Sequence, residues 1–356
     1  MDGLRAFAVI AVIAAHAHVP WLPGGGVGVD IFFGISGFLI TYLLIQEQKK
    51  NGRIALGLFW LRRLLRLMPA LILLVVCVNG FALLIAPFTS NDYLNQSAVA
   101  TPAVLFYFAN WMVVGTNSAF LGWFGPLWSL SVEEQFYLVW PLVVLLCFRF
   151  RHSLRIIGIT AAAIAIGATI NRFVIFDGTN LYRTFGTDFR VDMLLAGVLL
   201  AIGFQAGGGQ AIKKASAFLA APAALFLIVI CVVVPEFASA DSADGARLYY
   251  TVGLPFVALA TVSIIGYLVT HQSSRVARAL SWRPFEYTGQ ISYGMYLWHY
   301  PVVELLRAAL SNTTLIFVLC LLGTYVAAAL SWKLVEQPLQ RRFHQRLKPR
   351  ATAVTT

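Results

Sequence analysis

An arginine and a histidine, Arg5 and His16, stand eleven residues apart in the first apolar run of the chain. In an α-helix this separation amounts to three turns plus about 20°, so both side chains lie on one face, about 16 Å apart along the axis. Ionisable side chains are costly inside a membrane and usually serve a function there. We therefore predict a functional imidazole toward the outer half of this helix. The alternatives are an arginine that snorkels to the interface and a histidine satisfied by packing.

The second apolar run carries Asp30, about one helical turn in from its outer end, and Ser36 further along. The loop between the first two runs is short, so we expect neighbouring helices in which Asp30 matches His16 in depth. A carboxylate beside an imidazole fixes its tautomer and raises its basicity. The sequence thus predicts an Asp30–His16 pair that is suited to proton transfer. The glycines around Asp30 permit close helix packing, which is their ordinary role.

Two adjacent carboxylates, Glu133 and Glu134, lie in a further apolar run, with Tyr137 close behind them. Successive helical residues point about 100° apart, so the two carboxylates cannot face one partner equally. We expect one to meet a cation or a water-filled cavity and the other to bond backbone or a tyrosine. A purely structural role is the alternative for each of them.

Two further groups of side chains remain as candidates. A late apolar run carries Tyr296 and His299; its aromatic residues are typical of a core or lipid-facing surface, whereas a histidine near mid-depth is a functional candidate. Arg62, Arg63 and Arg66 are interpreted mainly as topology signals, although they could hold an anionic cofactor at the inner face. The four cysteines lie inside apolar runs without metal-ligand spacing, and no metal site is predicted.

The composition indicates that membrane helices position these residues. The chain of 356 residues is 59% hydrophobic and only 12% charged, whereas a soluble domain carries about 25% charged residues. A spanning helix needs about 20 mostly apolar residues. The sequence offers candidate runs at 4–21, 27–46, 64–86, 98–115, 128–148, 154–170, 191–205, 216–235, 248–270, 289–310 and 314–335.

The distribution of lysine and arginine predicts the topology through the positive-inside rule. With the N-terminus inside, few basic residues remain on the outer side: Arg172, Arg183, Arg190, Arg247 and Arg307. The rule is then satisfied by ten crossings with both termini cytoplasmic, if the run 98–115, with Pro102 and Asn110, is re-entrant or interfacial. The same asymmetry accounts for the net charge of +11, so nucleic acid is not an expected partner.

We therefore predict an all-α integral membrane protein, a polytopic bundle of about ten transmembrane helices with one additional re-entrant or interfacial segment. Residues 1–340 form a single transmembrane domain in this prediction, and residues 341–356 form a basic cytoplasmic tail.

Six motifs, taken in order, resemble the membrane-bound acyltransferase 3 family over almost the whole chain. They are Asp2-Gly3-Leu4-Arg5-Ala6 with His16, Gly28-Val29-Asp30-Ile31-Phe32-Phe33 with Ser36-Gly37-Phe38-Leu39-Ile40, Arg62-Arg63-Leu64-Leu65-Arg66-Leu67-Met68-Pro69, Trp128-Ser129-Leu130-Ser131-Val132-Glu133-Glu134-Gln135-Phe136-Tyr137, Ser292-Tyr293-Gly294-Met295-Tyr296-Leu297-Trp298-His299 and Glu336-Gln337-Pro338. Each motif alone is moderately specific, and the full ordered set is strongly specific. The resemblance is to the standalone form of the family, without a C-terminal hydrolase-like domain.

The resemblance implies a membrane O-acyltransferase. It implies a cytoplasmic acyl-CoA donor, such as acetyl-CoA, and a hydroxyl acceptor beyond the membrane, commonly on a carbohydrate or glycolipid. It also implies that the Arg5 and His16 pattern is functional and that His16 is central to transfer. The expected location is the bacterial cytoplasmic membrane.

The site assignments follow from the residues and the resemblance together. His16, Asp30 and Glu134 are the catalytic candidates, with His16 as either base or nucleophile. Further candidates for substrate binding or structure are Ser36, Glu133, Tyr137, Tyr296 and His299. The residues expected to bind the donor at the inner face are Arg5, Arg62, Arg63 and Arg66.

A proton-coupled small-molecule transporter is the alternative function. It would use the same intramembrane His, Asp and Glu residues as a relay. No inverted repeat is apparent in the sequence, which favours the enzyme.

Overall fold

The structure is a computed structural model that describes residues 1–88, 93–116, 121–234 and 243–347. Every regular element in these ranges is helical, which confirms the predicted all-α class. The described helices are α1 (Asp2–His16), α2 (Val27–Asn51), α3 (Leu56–Ile85), α4 (Tyr93–Leu105), α5 (Ala109–Thr116), α6 (Leu127–Cys147), α7 (Ser153–Ile175), α8 (Thr187–Gln205), α9 (Gly209–Val233), α10 (Ala243–Leu248), α11 (Leu254–Thr270), α12 (Arg275–Leu280), α13 (Arg283–Gln290), α14 (Ser292–Ala309), α15 (Thr313–Ser331) and α16 (Gln337–Leu347).

Among the described residues, seven helical stretches are long and apolar enough to cross a membrane. They are Val27–Asn51, Leu56–Phe88, Leu127–Cys147, Ser153–Ile175, Gly209–Val233, Ala243–Thr270 and Thr313–Phe343. This number is smaller than the predicted ten. Helix α1 has only 15 residues, and α8 carries Asp188, Arg190 and Asp192. Helix α14 contains both histidine and charged residues.

The first helix is shorter than the apolar run 4–21 predicts. It ends at His16, and His18 adopts a left-handed backbone conformation with φ 54°. Pro20 follows, and the residue before a proline is sterically disfavoured from the helical conformation. His16 therefore lies at the C-terminal end of its helix rather than one turn below that end.

The run 98–115 is not one helix. It is divided into α4 and α5 by a break at Tyr107, whose φ is 55°. The amide of Gln135 donates a hydrogen bond to the Tyr107 carbonyl at 2.8 Å and another to Asn110 Oδ1 at 2.9 Å. Side chains of the neighbouring helix α6 thus satisfy polar groups that the break exposes, as irregular backbone within a membrane protein requires.

Helix α2 is the central element, and 78% of its most apolar 18-residue stretch is buried. It packs against α1, α6, α8 and α11. The α2–α8 contact is close because α2 presents Gly37 there: a Cβ atom at this position would lie 1.8 Å from the Leu194 carbonyl oxygen. Helices α7 and α9 lie further out and expose large apolar side chains such as Phe173 and Phe218.

Helix α14 packs against α1, which also contacts α13 and α15.

The predicted basic tail begins within α16, which ends at Leu347; residues 348–356 of that tail lie outside the described residues. The fold therefore brings α1, α2, α3, α6 and α14, which carry the predicted site residues, into one packed group.

Candidate functional site

A small cavity of about 80 Å³ lies between α1, α2, α3, α6 and α14. Most of the predicted site residues line it: Arg5, Ser36, Arg63, Arg66, Glu133, Tyr137 and Tyr296. Three guanidinium groups thus face one carboxyl group in this lining. We call this space the inner cavity because it holds the arginines that the sequence places at the inner face.

The guanidinium of Arg63 is held from two directions. It lies 3.8 Å from the Glu134 carboxylate and 3.4 Å above the centre of the Tyr137 ring, a favourable cation–π distance. Glu134 is thus the carboxylate that meets a cation, as one of the pair was predicted to do. Glu133 takes the other role: it accepts a hydrogen bond from Ser36 Oγ at 2.8 Å and another from the Tyr137 phenol, the kind of partner that was predicted.

The arginines differ in their position relative to the inner cavity. Arg62 is exposed and is not among its lining residues, although it shares α3 with Arg63 and Arg66. Arg66 lines the cavity and is also exposed, so it lies at the mouth. The Nε atom of Arg5 is buried and has no hydrogen-bond partner among the described residues. Arg5 therefore retains one hydrogen-bond donor that no described residue satisfies.

A second and larger cavity of about 920 Å³ adjoins the first. His16 and Asp30 line it together with aromatic residues such as Trp128, Tyr182 and Tyr300. We call it the outer cavity because the residues that the sequence places at the outer ends of α1 and α2 line it. Its volume lies within the range of about 300–1,000 Å³ that is typical of ligand pockets.

The two cavities share two lining residues, Val29 and Tyr296. The phenol oxygen of Tyr296 lies 2.5 Å from Ser129 Oγ and donates to the Pro126 carbonyl at 2.8 Å. The Tyr296 side chain is 8% exposed. This tyrosine is therefore part of the wall between the inner and outer cavities.

The structure brings His16 next to His299. Nε2 of His299 lies 3.4 Å from Nδ1 of His16, and the same His16 nitrogen lies 2.9 Å from the Val12 carbonyl oxygen. His299 is fully buried, and its own Nδ1 lies 2.6 Å from the Tyr296 carbonyl oxygen. The sequence identified both histidines as candidates but did not predict that they meet.

The predicted Asp30–His16 pair is wrong in its choice of partner. Asp30 forms an ion pair with Arg190 of α8 at 3.0 Å, and both side chains are buried. Arg190 also donates to the Thr184 carbonyl at 2.8 Å and lines the outer cavity. The physical reason is charge: a buried guanidinium needs a counter-charge, and the Asp30 carboxylate supplies it.

A second buried ion pair joins α7 to α8. Arg172, whose side chain is 0% exposed, lies 2.6 Å from the Asp192 carboxylate. It also donates to the Phe189 carbonyl. Charge counting had assigned Arg172 and Arg190 to the outer surface, so sequence reasoning missed both pairs. Three charged residues within five positions of α8 were the available signal.

His18 also lines the outer cavity. It lies in the loop after α1, where burial first, and then the nearby charge of Arg307, hold its pKa below the ordinary histidine value. The sequence had placed this residue at the interface without a role. A neutral imidazole at this position adds hydrogen-bonding capacity to the cavity without adding charge.

Comparison with known proteins identifies relatives of this chain. The profile of the acyltransferase domain family, acyltransferase 3, matches residues 1–333. The chain is similar to the peptidoglycan O-acetyltransferase OatA of Listeria monocytogenes, with 33% identity over 354 residues, covering 96% of this chain and 55% of the relative. It is similar to the O-acetyltransferase OatA of Staphylococcus aureus, with 34% identity over 358 residues, covering 96% of this chain and 57% of the relative.

A third relative is the putative peptidoglycan O-acetyltransferase YrhL of Bacillus subtilis, 31% identical over 351 residues, covering 96% of this chain and 54% of the relative. The chain therefore spans a little over half the length of these curated relatives. No solved structure matches it.

Proposed function

This chain belongs to the acyltransferase 3 family of membrane proteins that transfer acyl groups, and on that premise we propose that it is an O-acyltransferase of the cell envelope. It moves an acetyl or other short acyl group from cytoplasmic acyl-CoA to a hydroxyl of an extracytoplasmic carbohydrate or glycolipid. The names of the relatives, which specify O-acetyl transfer and in two cases peptidoglycan, support a carbohydrate acceptor. Membership of an enzyme family also favours this function over the proton-coupled transporter.

The observation that carries the proposal is the meeting of two cavities of different chemistry. Guanidinium groups line the inner cavity, and the His16 imidazole lies on the wall of the outer cavity. Arg5 and His16 belong to one 15-residue helix, so the cationic end and the imidazole end are about 16 Å apart. A donor that is anionic at one end and reactive at the other fits this arrangement.

Acyl-CoA fits the inner cavity by charge. Its nucleotide phosphates are anionic, and guanidinium groups bind phosphates through charge-assisted hydrogen bonds. The buried Nε of Arg5, which has no partner among the described residues, provides a donor for a polar group of the substrate. A cavity of about 80 Å³ is too small for the nucleotide. The nucleotide thus stays at the mouth near Arg66, and the pantetheine arm enters the bundle beside α1.

His16 carries out the transfer by one of two routes. As a general base, it takes the proton of the acceptor hydroxyl while the hydroxyl oxygen attacks the thioester carbonyl, and the C–S bond breaks to release CoA thiolate. As a nucleophile, its imidazole nitrogen attacks the thioester carbonyl and the C–S bond breaks to release CoA thiolate; the acceptor oxygen then attacks the acyl carbon, the C–N bond breaks, and the released imidazole takes the hydroxyl proton. In this proposal Asp30 acts through Arg190, and Glu134 acts through Arg63.

The acceptor enters through the outer cavity. Trp128, Tyr182 and Tyr300 provide aromatic surface there, and Asn180 and Arg190 provide polar groups. Pockets that combine extended apolar surface with a few placed polar groups are typical small-ligand sites. A sugar ring, with apolar faces and hydroxyl edges, matches that combination.

The proposed topology keeps ten crossings and both termini in the cytoplasm. The seven long apolar stretches are joined in this proposal by α1, α8 and α14, which are more polar or shorter because other helices surround them. The segment formed by α4 and α5 is re-entrant or interfacial. The location that follows is the bacterial cytoplasmic membrane.

The donor site is tested by comparing two arginines of one helix. We expect Arg66→Gln to raise the KM for acetyl-CoA about 10- to 100-fold, because a hydrogen bond to a charged group contributes about 1.5–3 kcal/mol. Arg62→Gln is the matched control: it removes the same charge from α3 but lies outside the inner cavity, so its KM should stay near the wild-type value.

The assay is transfer of radiolabelled acetyl from acetyl-CoA to a peptidoglycan glycan fragment, with purified protein in lipid nanodiscs. Insertion and folding of each variant are checked by size-exclusion chromatography and thermal unfolding. Equal KM values for the two folded variants would show that the inner cavity is not the donor site. Absence of any transfer by the wild-type protein would remove the proposed reaction itself.

A further inference from the structure

The hydrogen bonds around the two histidines define the protonation of each ring. The Tyr296 carbonyl oxygen lies 2.6 Å from His299 Nδ1, and a carbonyl oxygen only accepts hydrogen bonds. Nδ1 of His299 therefore carries a proton. A fully buried imidazole between a carbonyl and a second imidazole is neutral, because a buried cation needs a negative partner. Its other nitrogen, Nε2, then carries a lone pair.

The same reasoning applies to His16. Its Nδ1 lies 2.9 Å from the Val12 carbonyl oxygen, so this nitrogen also carries a proton. The His299 Nε2 lone pair lies 3.4 Å from that proton-bearing nitrogen. The His16 N–H thus has two acceptors, one on its own helix and one on α14. In the neutral ring, Nε2 of His16 is the nitrogen left basic.

The ring of His16 is also held by aromatic contacts from α14. The centre of the His299 ring lies 5.0 Å from the centre of the His16 ring, at an interplanar angle of 61°. The Tyr300 ring lies at 5.3 Å and 88°. Both are edge-to-face arrangements at favourable distances. Because His16 is the last residue of α1, contacts from α14 add orientation at a point where the backbone leaves the helix.

We propose that His299 is a positioning residue for His16, and that it does not itself react. His299 accepts from His16 Nδ1–H, so that His16 reacts through Nε2. His299 cannot pass its own proton toward the substrate, because its Nδ1–H is committed to the Tyr296 carbonyl on the same helix. This assignment rests on the proposed acyl transfer, but the tautomer that it requires exists without any substrate.

The first experiment measures that tautomer directly. Protein labelled with ¹⁵N-histidine is studied in lipid by solid-state NMR, without donor or acceptor, and the His16 signals are assigned by their loss in His16→Ala. We expect a protonated Nδ1 and an unprotonated Nε2 on both rings. We also expect the His299 Nε2 signal to move in His16→Ala, because that atom loses its hydrogen-bond donor.

A protonated Nε2 on His16, or an unmoved His299 Nε2 signal, would overturn the positioning role whatever the protein catalyses. The expected tautomers in a protein that transfers no acetyl would instead overturn the proposed function. The two failures are therefore distinguishable.

The second experiment compares two substitutions of similar size in the acetyl transfer assay. His299→Gln places an amide oxygen near the former Nε2 and keeps an acceptor for His16. His299→Leu removes the acceptor and suits an apolar environment. We expect His299→Leu to lower kcat about 10- to 100-fold with an unchanged KM for acetyl-CoA, and His299→Gln to stay within a few-fold of wild type; loss of a general base itself costs about 10²–10⁴-fold.

Two results contradict the assignment. If both folded variants retain wild-type kcat, His299 only fills space. If His299→Gln is as inactive as His16→Ala, His299 reacts directly. Cys320→Ala is the control for packing, because its thiol donates to the His299 carbonyl at 3.5 Å and not to the ring.

Discussion

Replacing Asp30 by asparagine probes the charge network on the wall of the outer cavity. The substitution preserves shape and keeps an oxygen that accepts a hydrogen bond from Arg190, but it removes the counter-charge. Side-chain exposure is 4% for Asp30 and 7% for Arg190, so neither charge is screened by bulk water. The variant therefore leaves a buried guanidinium without its ion pair.

The expected cost can be estimated from this geometry. Removing one partner of a buried ion pair costs about 3–5 kcal/mol. The retained hydrogen bond and the rings of Trp128 and Tyr250, which lie 5.2 Å and 5.3 Å from the Arg190 guanidinium, favour the lower end of that range. We expect a loss of about 3 kcal/mol. Adding Arg190→Gln should recover part of it, because the unpaired charge is then gone.

The measurement is reversible unfolding in mixed micelles, combined with acetyl transfer per folded molecule. Asp192→Asn is the matched control: it breaks the equally buried pair with Arg172, whose residues do not line the outer cavity. Both single variants should lose stability, but only Asp30→Asn should also slow transfer, by less than the 10²–10⁴-fold expected for losing the His16 base. Unchanged stability of Asp30→Asn, or a more stable Arg190→Gln single variant, would refute the reasoning.

Three further predictions concern the helix packing, the base and the topology. Gly37→Ala should destabilise the fold severely, since its Cβ would lie 1.8 Å from a carbonyl oxygen, whereas Gly57→Ala, which meets nothing within 4 Å, should be neutral in the same unfolding assay. His16→Ala should abolish acetyl transfer while the protein stays folded; near-normal turnover would remove it from catalysis. In a cysteine-free background, a cysteine at Asn95 should react with an impermeant maleimide from outside and one at Lys50 only from inside, and the reverse labelling would invert the topology.

The sequence predicted which residues are candidates for the site but not which of their side chains pair. Arg5 and His16 do share one helix, and the all-helical class follows from composition. In contrast, Asp30 meets Arg190 across 160 positions of chain, and His16 meets His299 across 283. Contacts of this range depend on how helices pack, and a single sequence contains no periodicity that reports them. Matching of depth alone therefore paired Asp30 with the wrong neighbour.

The number of membrane crossings was difficult to predict from the sequence for a related reason. Hydropathy identifies helices that face lipid, such as α7 and α9, because their surroundings demand apolar side chains. Helices α8 and α14 are enclosed by protein, so they tolerate charged and polar residues. They are therefore not among the seven long apolar stretches. The break at Tyr107 was signalled only by Pro102 and Asn110. The polar residues that weaken the hydropathy signal are thus the ones that build the site.

The wall at Tyr296 has a consequence for the energetics of a living membrane. A protein that receives its two substrates from opposite sides needs an opening toward each, and a continuous wet path between those openings would short-circuit the ion gradients that drive transport and ATP synthesis. The Tyr296 side chain, which lines both cavities and is held by Ser129 and Pro126, lies where such a path between them would pass. Under the proposed function, the reaction would then join the two compartments chemically while the bilayer stays electrically insulating.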